Sequence, residues 1–386
     1  MAYTFSRDDI AYLASPAGAA ALAEVGDLAL TPASLLKDLE RLRKSFGDHA
    51  PALVETVRLR RRAAAKLDGA GEWLLTDDAL QQATPTAVAR HRAHRLAGRT
   101  VHDITCSIGA ELAELSRVCP AVIGSDLDDI RLAMAAHNLG ARKVLLAKAD
   151  ALVPCSSADV VIADPARRAD GKRTHDPAKL QPPLPNLLTA YAGRDLAVKC
   201  APGLDFDKLG WAGEVEVVSL DGAVREACLW SPGLAEAGVT RRATVLSSTA
   251  DPWTLTDADP DEIPEREPGE WIIDPDGAVV RAGLVRHYAA KHGLWQLDPR
   301  IAYLTGDKVP EGVRGFRILD RMEFREKPLR AELHRRDCGP LEILARGVDI
   351  DPDALRNRLK LKGSQPHTLV VTRIGRTATV FLCATP

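Results

Sequence analysis

Four aspartates follow four short apolar runs in the middle of the chain. Asp103 and Asp126 end the first two runs, Asp150 follows the third, and Asp164 follows the fourth. Open α/β sheets bind ligands at the carboxyl ends of their parallel strands. Carboxylates there accept hydrogen bonds from amino and hydroxyl groups. The four acids therefore predict one site for a ligand that carries amines and hydroxyls.

The turn after the first acid reads Asp-Ile-Thr-Cys-Ser-Ile-Gly, from Asp103 to Gly109. Asp103 is placed to accept hydrogen bonds from a charged amino group, and Ser107 and Gly109 leave room for a ligand beside the backbone. The turn lacks the GxGxxG pattern of dinucleotide sites. A pyrophosphate needs several free N–H groups at close range. S-adenosylmethionine, a nucleoside ligand without phosphate, needs fewer of them from such a turn. The alternative is that Asp103 only caps the turn.

The second and third acids fit the nucleoside part of the same ligand. Asp126, in Gly-Ser-Asp-Leu, is placed to bind the ribose hydroxyls. Asp150 can accept a hydrogen bond from the exocyclic amine of adenine. The alternative is that both are solvated loop acids, because Asp128 and Asp129 lie beside Asp126.

The fourth run ends in Asp-Pro-Ala-Arg-Arg, from Asp164 to Arg168. Pro165 holds Asp164 in an extended conformation at the rim of the sheet. Arg167 and Arg168 begin a basic loop, which suits a substrate that carries phosphate. The alternative is an ordinary strand-to-helix turn with solvated arginines.

The elements that must position these residues divide the chain of 386 residues into four parts. Helical spacing of apolar residues predicts an all-α domain over residues 1–95. Strands that alternate with helices predict a mostly parallel sheet over residues 96–250. An acid-rich linker and connecting segment is predicted over 251–313, and a small α/β module over 314–386. This module has fifteen Lys or Arg against nine Asp or Glu.

Composition excludes several classes of protein. The net charge of −2 gives no overall basic field to attract nucleic acid. Seven cysteines without a CxxC pair argue against a disulfide framework or a zinc site, so we expect no metal. Reduced thiols fit a cytoplasmic protein. No apolar run is long enough for a transmembrane helix, so we expect no membrane partner.

With these motifs the chain resembles the class I S-adenosylmethionine-dependent methyltransferases. Within them it resembles a bacterial group with a C-terminal THUMP-like domain, related to RNA methyltransferases. The tracts at 103–109, 124–128 and 164–168 carry the resemblance, together with 303–307 and 360–363. The resemblance covers residues 100–386. It implies an α/β fold: a Rossmann-like seven-stranded sheet with an all-α N-terminal domain and a small α/β C-terminal module.

The resemblance also implies roles for single residues. Those expected to contact the cofactor S-adenosylmethionine are Asp103, Thr105, Cys106, Ser107, Gly109, Asp126, Leu127, Asp150 and Ala151. Those expected in the catalytic loop are Asp164, Pro165 and Arg167. Relatives that methylate amines carry an aromatic residue after Asp/Asn-Pro-Pro, and its ring stacks on the flipped base. Here Arg167 stands near that place and offers a guanidinium plane instead.

We therefore expect a methyltransferase that acts on RNA, either tRNA or rRNA, with the C-terminal module binding the phosphate backbone. A first alternative is methylation of a small molecule or a protein, which the missing aromatic ring favours. A second alternative is an RNA-binding protein that keeps the fold without catalysis.

Overall fold

A computed structural model describes residues 3–166, 168–169, 172–173 and 176–385. The chain divides into two units. The first comprises Met1–Leu220 and Arg225–Glu236, and the second comprises Asp221–Val224 and Ala237–Pro386. Each unit contains both helices and strands. Arg167 lies outside the described residues.

The helices of the first unit are α1 (Arg7–Leu13), α2 (Pro16–Gly26), α3 (Leu35–Phe46), α4 (Ala50–Ala63), α5 (Asp77–Gln82), α6 (Thr86–Arg95), α7 (Ala110–Val118), α8 (Asp129–Leu139) and α9 (Leu184–Ala190). Its strands are β1 (Thr100–Asp103), β2 (Ala121–Asp126), β3 (Val144–Lys148), β4 (Val160–Ala163), β5 (Arg168–Ala169), β6 (Lys172–Arg173), β7 (Asp195–Cys200), β8 (Glu214–Leu220) and β9 (Ala223–Trp230). Residues 225–230 of β9 belong to this unit.

Seven strands of the first unit lie side by side in the large sheet, in the order β8-β9-β7-β4-β1-β2-β3. Neighbouring strands from β7 to β3 run parallel, and β9 runs antiparallel to β7. All four residues of β4 are buried, as is usual for a parallel strand covered on both faces. The predicted α/β class and seven-stranded Rossmann-like sheet are thus confirmed.

Gly124 on β2 allows the turn after β1 to pack against the sheet. It pairs with Asp103 on β1. A Cβ atom at Gly124 would lie 2.4 Å from Leu112 Cδ1 on α7 and 3.1 Å from the Cys106 side chain. Only a residue without a side chain leaves that space, so α7 begins close to the strand ends.

The N-terminal helices α1–α6 share one hydrophobic core with the sheet. Leu53, Leu74 and Val57 from the helices belong to the same buried cluster as Val101 and Leu112. Between residues 3 and 95, all described and without a strand, the predicted helices are present. The predicted boundary at residue 95 stays a prediction.

The elements of the second unit are β10 (Arg241–Leu246), β11 (Trp253–Thr256), β12 (Trp271–Ile273), α10 (Gly277–Ala282), α11 (Val285–His292), β13 (Trp295–Gln296), β14 (Leu304–Gly306), β15 (Gly315–Glu323), α12 (Glu326–Arg335), β16 (Cys338–Arg346), α13 (Pro352–Leu359), β17 (Gln365–Ile374) and β18 (Thr377–Ala384). Seven of these strands form a sheet in the order β13-β14-β12-β15-β18-β17-β16. Leucines of α12 and α13 pack in one core with β16–β18.

The segment predicted as an acidic linker, residues 251–313, contains more regular structure than its composition indicated. It holds four strands, β11 to β14, and two helices, α10 and α11. Ile272 of β12 is fully buried, because it packs in a hydrophobic cluster with Tyr303 and Phe316. The strand pairs on both sides, with β14 and β15. The acidic residues are concentrated in the irregular stretch 257–270. Their number led to the prediction of a linker, although this apolar strand follows them. In the described part of the chain, no helix has the length and apolarity needed to cross a bilayer.

Candidate functional site

A cavity of about 330 Å³ lies at the carboxyl ends of β1, β2, β3 and β4 in the first unit. All four predicted strand-end acids line it: Asp103, Asp126, Asp150 and Asp164. The other predicted residues in its lining are Thr105, Cys106, Ser107, Leu127 and Ala151. Gly109 and Pro165 are adjacent in sequence to lining residues but are not in the lining themselves. Arg167 lies outside the described residues.

Hydrogen bonds from the backbone to carboxylates hold the turn after β1. Asp103 Oδ1 accepts from the Thr105 N–H at 3.0 Å, and Asp126 Oδ2 accepts from the Ser107 N–H at 2.9 Å. Ser107 has a φ of +49°, a backbone conformation that non-glycine residues adopt rarely. Gly109, with a φ of +84°, then caps the start of α7. The two acids predicted to contact a ligand thus also shape the turn that would surround it.

Short turns begin at the two acids predicted to bind the nucleoside part: Asp126 ends β2, and Asp150 follows β3. Asp126 Oδ1 accepts from the Asp128 N–H at 2.9 Å, and Asp150 Oδ1 accepts from the Leu152 N–H at 2.8 Å. Each bond uses one oxygen to fix the carboxylate in an Asx turn. Leu127 is exposed yet lines the cavity, so it offers an apolar surface at the mouth.

Asp164 is held from two sides at the start of the predicted catalytic loop. Its backbone N–H donates to Thr105 Oγ1 at 2.7 Å, and its Oδ2 accepts from Lys199 Nζ at 2.5 Å. Two backbone hydrogen bonds between Ala166 and Gln181, at 2.8 and 3.0 Å, close the loop at its base. Lys199, on β7, lines the cavity as well.

Behind the cavity lies a buried network of charges that the sequence motifs did not reveal. Arg92 of α6 is 2% exposed and donates from Nε to Glu111 Oε1 at 3.0 Å. Its terminal nitrogens bind Glu226 Oε1, and Thr84 Oγ1 donates to Glu226 Oε2 at 3.1 Å. Glu111 is 6% exposed and lines the cavity, and its Oε2 accepts no hydrogen bond from any described residue. A buried oxygen without a partner is costly, which suggests that a donor is supplied from outside the chain.

The charged residues at the base of the cavity, here called the floor, are Asp103, Glu111, Asp164, Glu226, Arg92 and Lys199. Burial dominates their electrostatics. It raises the pKa of Asp103, which is 4% exposed, to about 7. The hydrogen bond from the Thr105 N–H lowers this pKa, and the nearby Glu111 carboxylate raises it further. Burial also raises the pKa of Glu111. For Lys199, burial opposes the charge, but the carboxylates of Asp164, Glu226 and Glu111 outweigh it and raise the pKa.

The floor therefore holds more carboxyl groups than cationic side chains. Its four carboxyl groups belong to Asp103, Glu111, Asp164 and Glu226, and its two cations to Arg92 and Lys199. Such a floor suits a cationic ligand, because an added cation favours the ionised carboxylates. Cys106 is unsuited to nucleophilic chemistry, because burial raises its pKa and keeps the thiol protonated.

Two known families match parts of this chain. A THUMP domain-like family matches residues 313–385, and a domain of unknown function (DUF8688) matches residues 6–63. Two uncharacterized S-adenosylmethionine-dependent methyltransferases of Mycobacterium tuberculosis, from strains CDC 1551 / Oshkosh and ATCC 25618 / H37Rv, are each 56% identical to this chain over 345 residues. The matches cover 86% of this chain and 96% of each relative.

A crystal structure of a protein from Porphyromonas gingivalis W83, named as a methyltransferase, is similar over nearly the whole chain. It has 19% sequence identity and a TM-score of 0.74, and the match covers 99% of this chain and 100% of that one. At this identity the likeness establishes a shared fold.

Proposed function

Because the chain belongs to the S-adenosylmethionine-dependent methyltransferases, we propose that it methylates RNA, with the donor in the cavity at the ends of β1–β4. The observation that carries the proposal is the convergence of four strand-end carboxylates on one cavity. When bound, S-adenosylmethionine supplies a methyl group on a positively charged sulfur. The chain's own residues must hold the donor, exclude water and position the acceptor.

The residues of the cavity fit this donor. Asp103 and Glu111 Oε2, an oxygen with no partner among the described residues, would hold the α-ammonium group of the methionine part. Asp126 would bind the ribose hydroxyls through its carboxylate, and Asp150 would accept from the adenine amine. Leu127, exposed at the mouth, would cover the adenine ring.

Asp164 would act at the acceptor end. Its carboxylate is 31% exposed in an otherwise buried pair with Lys199, so a substrate can reach it. Thr105 and Lys199 fix its position, which is what a transfer that depends on alignment requires.

RNA as the acceptor is supported by the second unit. Residues 313–385 match the THUMP domain-like family, and the group that the chain resembles is related to RNA methyltransferases. The excess of Lys and Arg over residues 314–386 suits contacts with a phosphate backbone.

Calorimetry with S-adenosylmethionine and methyl transfer to RNA test the two halves of the proposal. Asp126→Ala should weaken donor binding by ten- to a hundredfold, about 1.4–3 kcal/mol, because it removes a ribose acceptor. Asp129→Ala is the matched control, since this acid lies three residues away in sequence, pairs with Arg7 and Lys148, and is not in the cavity lining. With tritiated donor, total RNA should become labelled. Donor binding with label only in protein or small molecules would contradict the RNA assignment.

A further inference from the structure

The acceptor end of the cavity holds a carboxylate and an ammonium side by side. Asp164 Oδ2 and Lys199 Nζ are 2.5 Å apart, and both residues line the cavity. The Lys199 side chain is 8% exposed, while that of Asp164 is 31% exposed. The pair is therefore fixed from behind and open in front, toward the space where an acceptor must enter.

The pair offers both kinds of hydrogen-bonding group. An ammonium group has three N–H donors. Among the described residues, Lys199 donates to Asp164 alone. The second oxygen of Asp164, Oδ1, is an acceptor. A hydroxyl group both donates and accepts, so it can bind both members of the pair. The exocyclic amine of a base only donates, because its lone pair is delocalised into the ring.

Charge development favours the same acceptor. An amine becomes more positive as it takes up a methyl group, and the ammonium of Lys199 would oppose that change. A hydroxyl that gives up its proton becomes more negative, and the same ammonium would stabilise it. The acceptor end thus suits oxygen better than nitrogen.

The described residues around the pair offer no aromatic ring on which a flipped base could stack. None of the described residues that line the cavity is aromatic. The sequence from Asp164 to Lys179 also contains no Phe, Tyr or Trp. Enzymes that act on a base usually hold it between aromatic or apolar side chains, whereas a ribose hydroxyl needs no such platform.

We propose that the acceptor is the 2′-hydroxyl oxygen of a ribose in RNA; this rests on the RNA methylation proposed above. The new O–C bond forms as the C–S bond of the donor breaks, and that electron pair stays on sulfur as a neutral thioether. The hydroxyl proton passes to Asp164, and Lys199 donates a hydrogen bond to the reacting oxygen. Asp164 then returns the proton to water.

Alkaline hydrolysis of the labelled product distinguishes ribose from base methylation. A 2′-O-methyl group removes the hydroxyl that attacks the neighbouring phosphodiester, so alkali leaves the label in dinucleotides. The wild-type enzyme is incubated with tritiated S-adenosylmethionine and total RNA from cells that lack the gene. Label in alkali-resistant dinucleotides supports the proposal, and label in mononucleotides overturns it. Donor binding without any labelled RNA would instead overturn the RNA assignment itself, and the ribose proposal with it.

Substitution of the lysine tests its assigned role. At saturating donor, Lys199→Met should lower the rate of transfer at least about a hundredfold. Lys199→Arg should restore part of the rate, because it keeps the charge and donors. Lys143→Met is the control, because this residue is exposed, lies outside the catalytic loop and is not in the cavity lining. In cells lacking the gene, Lys143→Met should restore the missing 2′-O-methylnucleoside and Lys199→Met should not. A Lys199→Met enzyme with lower thermal stability but an unchanged rate would overturn the role of the pair.

Discussion

Binding of the donor should release a proton from Asp103, so the affinity should increase with pH. Burial raises the pKa of this carboxyl to about 7. At pH 6 roughly one-tenth of the molecules carry the ionised form, and at pH 7.5 about three-quarters do. Because the α-ammonium group of the donor favours the ionised form, affinity should rise about eightfold over this range.

Calorimetry in two buffers of different ionisation enthalpy measures both the affinity and the proton released. The range stops at pH 7.5 because free α-amino groups titrate near pH ~8. Near pH 7, Asp103→Asn should lower the number of protons released on donor binding by a large fraction of one. The difference from wild type separates the contribution of Asp103 from that of Glu111. Asp150→Asn, at the adenine end, should weaken binding but keep the pH dependence. An Asp103→Asn protein with the wild-type pH profile, or affinity that falls between pH 6 and 7.5, would refute the reasoning.

The same pKa shift affects stability in the absence of donor. The pKa of Asp103 in the folded chain, about 7, lies above the ordinary value of 3.8. The folded chain therefore holds this proton at pH values where the unfolded chain has lost it. The contribution of Asp103 to the free energy of unfolding should therefore decrease as pH rises between these two values, by up to about 1.4 kcal/mol per pH unit. Asp103→Asn should flatten this part of the stability profile.

Three substitutions test how the site is supported. Arg92→Met should lower the free energy of unfolding by about 3–5 kcal/mol in urea denaturation, because it leaves two buried glutamates without their cation. Gly124→Val should cost about 1–3 kcal/mol, since a Cβ there meets Leu112 at 2.4 Å, and circular dichroism on heating would show a lower Tm. Asn138→Ala should weaken donor binding as well as stability, measured by calorimetry and urea, because its amide donates to the Ile108 carbonyl in the turn that lines the cavity.

The strand-end acids could be predicted because their signal is local. An apolar run followed by an acid marks both the strand and the place where it ends, and parallel strands bring those ends together. The sequence therefore predicted that Asp103, Asp126, Asp150 and Asp164 share one site, and the structure places all four in one cavity. Their separate roles toward the donor and the acceptor stay predictions.

The supporting charges could not be predicted in the same way. Arg92 and Glu226 lie 134 positions apart, and no periodic pattern connects them. Glu111 stands in the first turn of a helix, where an acid is commonly interpreted as a favourable partner for the helix dipole. Nothing local indicates that one of its oxygens is buried without a partner. Such a network is specified by tertiary packing alone, so it is visible only when the fold is known.

Through the buried charge network, the N-terminal helices contribute to the site. Within residues 1–95, predicted as an all-α domain, Arg92 and Thr84 bind Glu226, and Ala79, Gln82 and Ala83 line the cavity. Without the guanidinium of Arg92, the buried carboxylates would lose a compensating cation, and they would take up protons rather than attract the donor. The negative charge that suits a cationic donor therefore depends on packing of α6, and donor binding should protect this helix from hydrogen exchange.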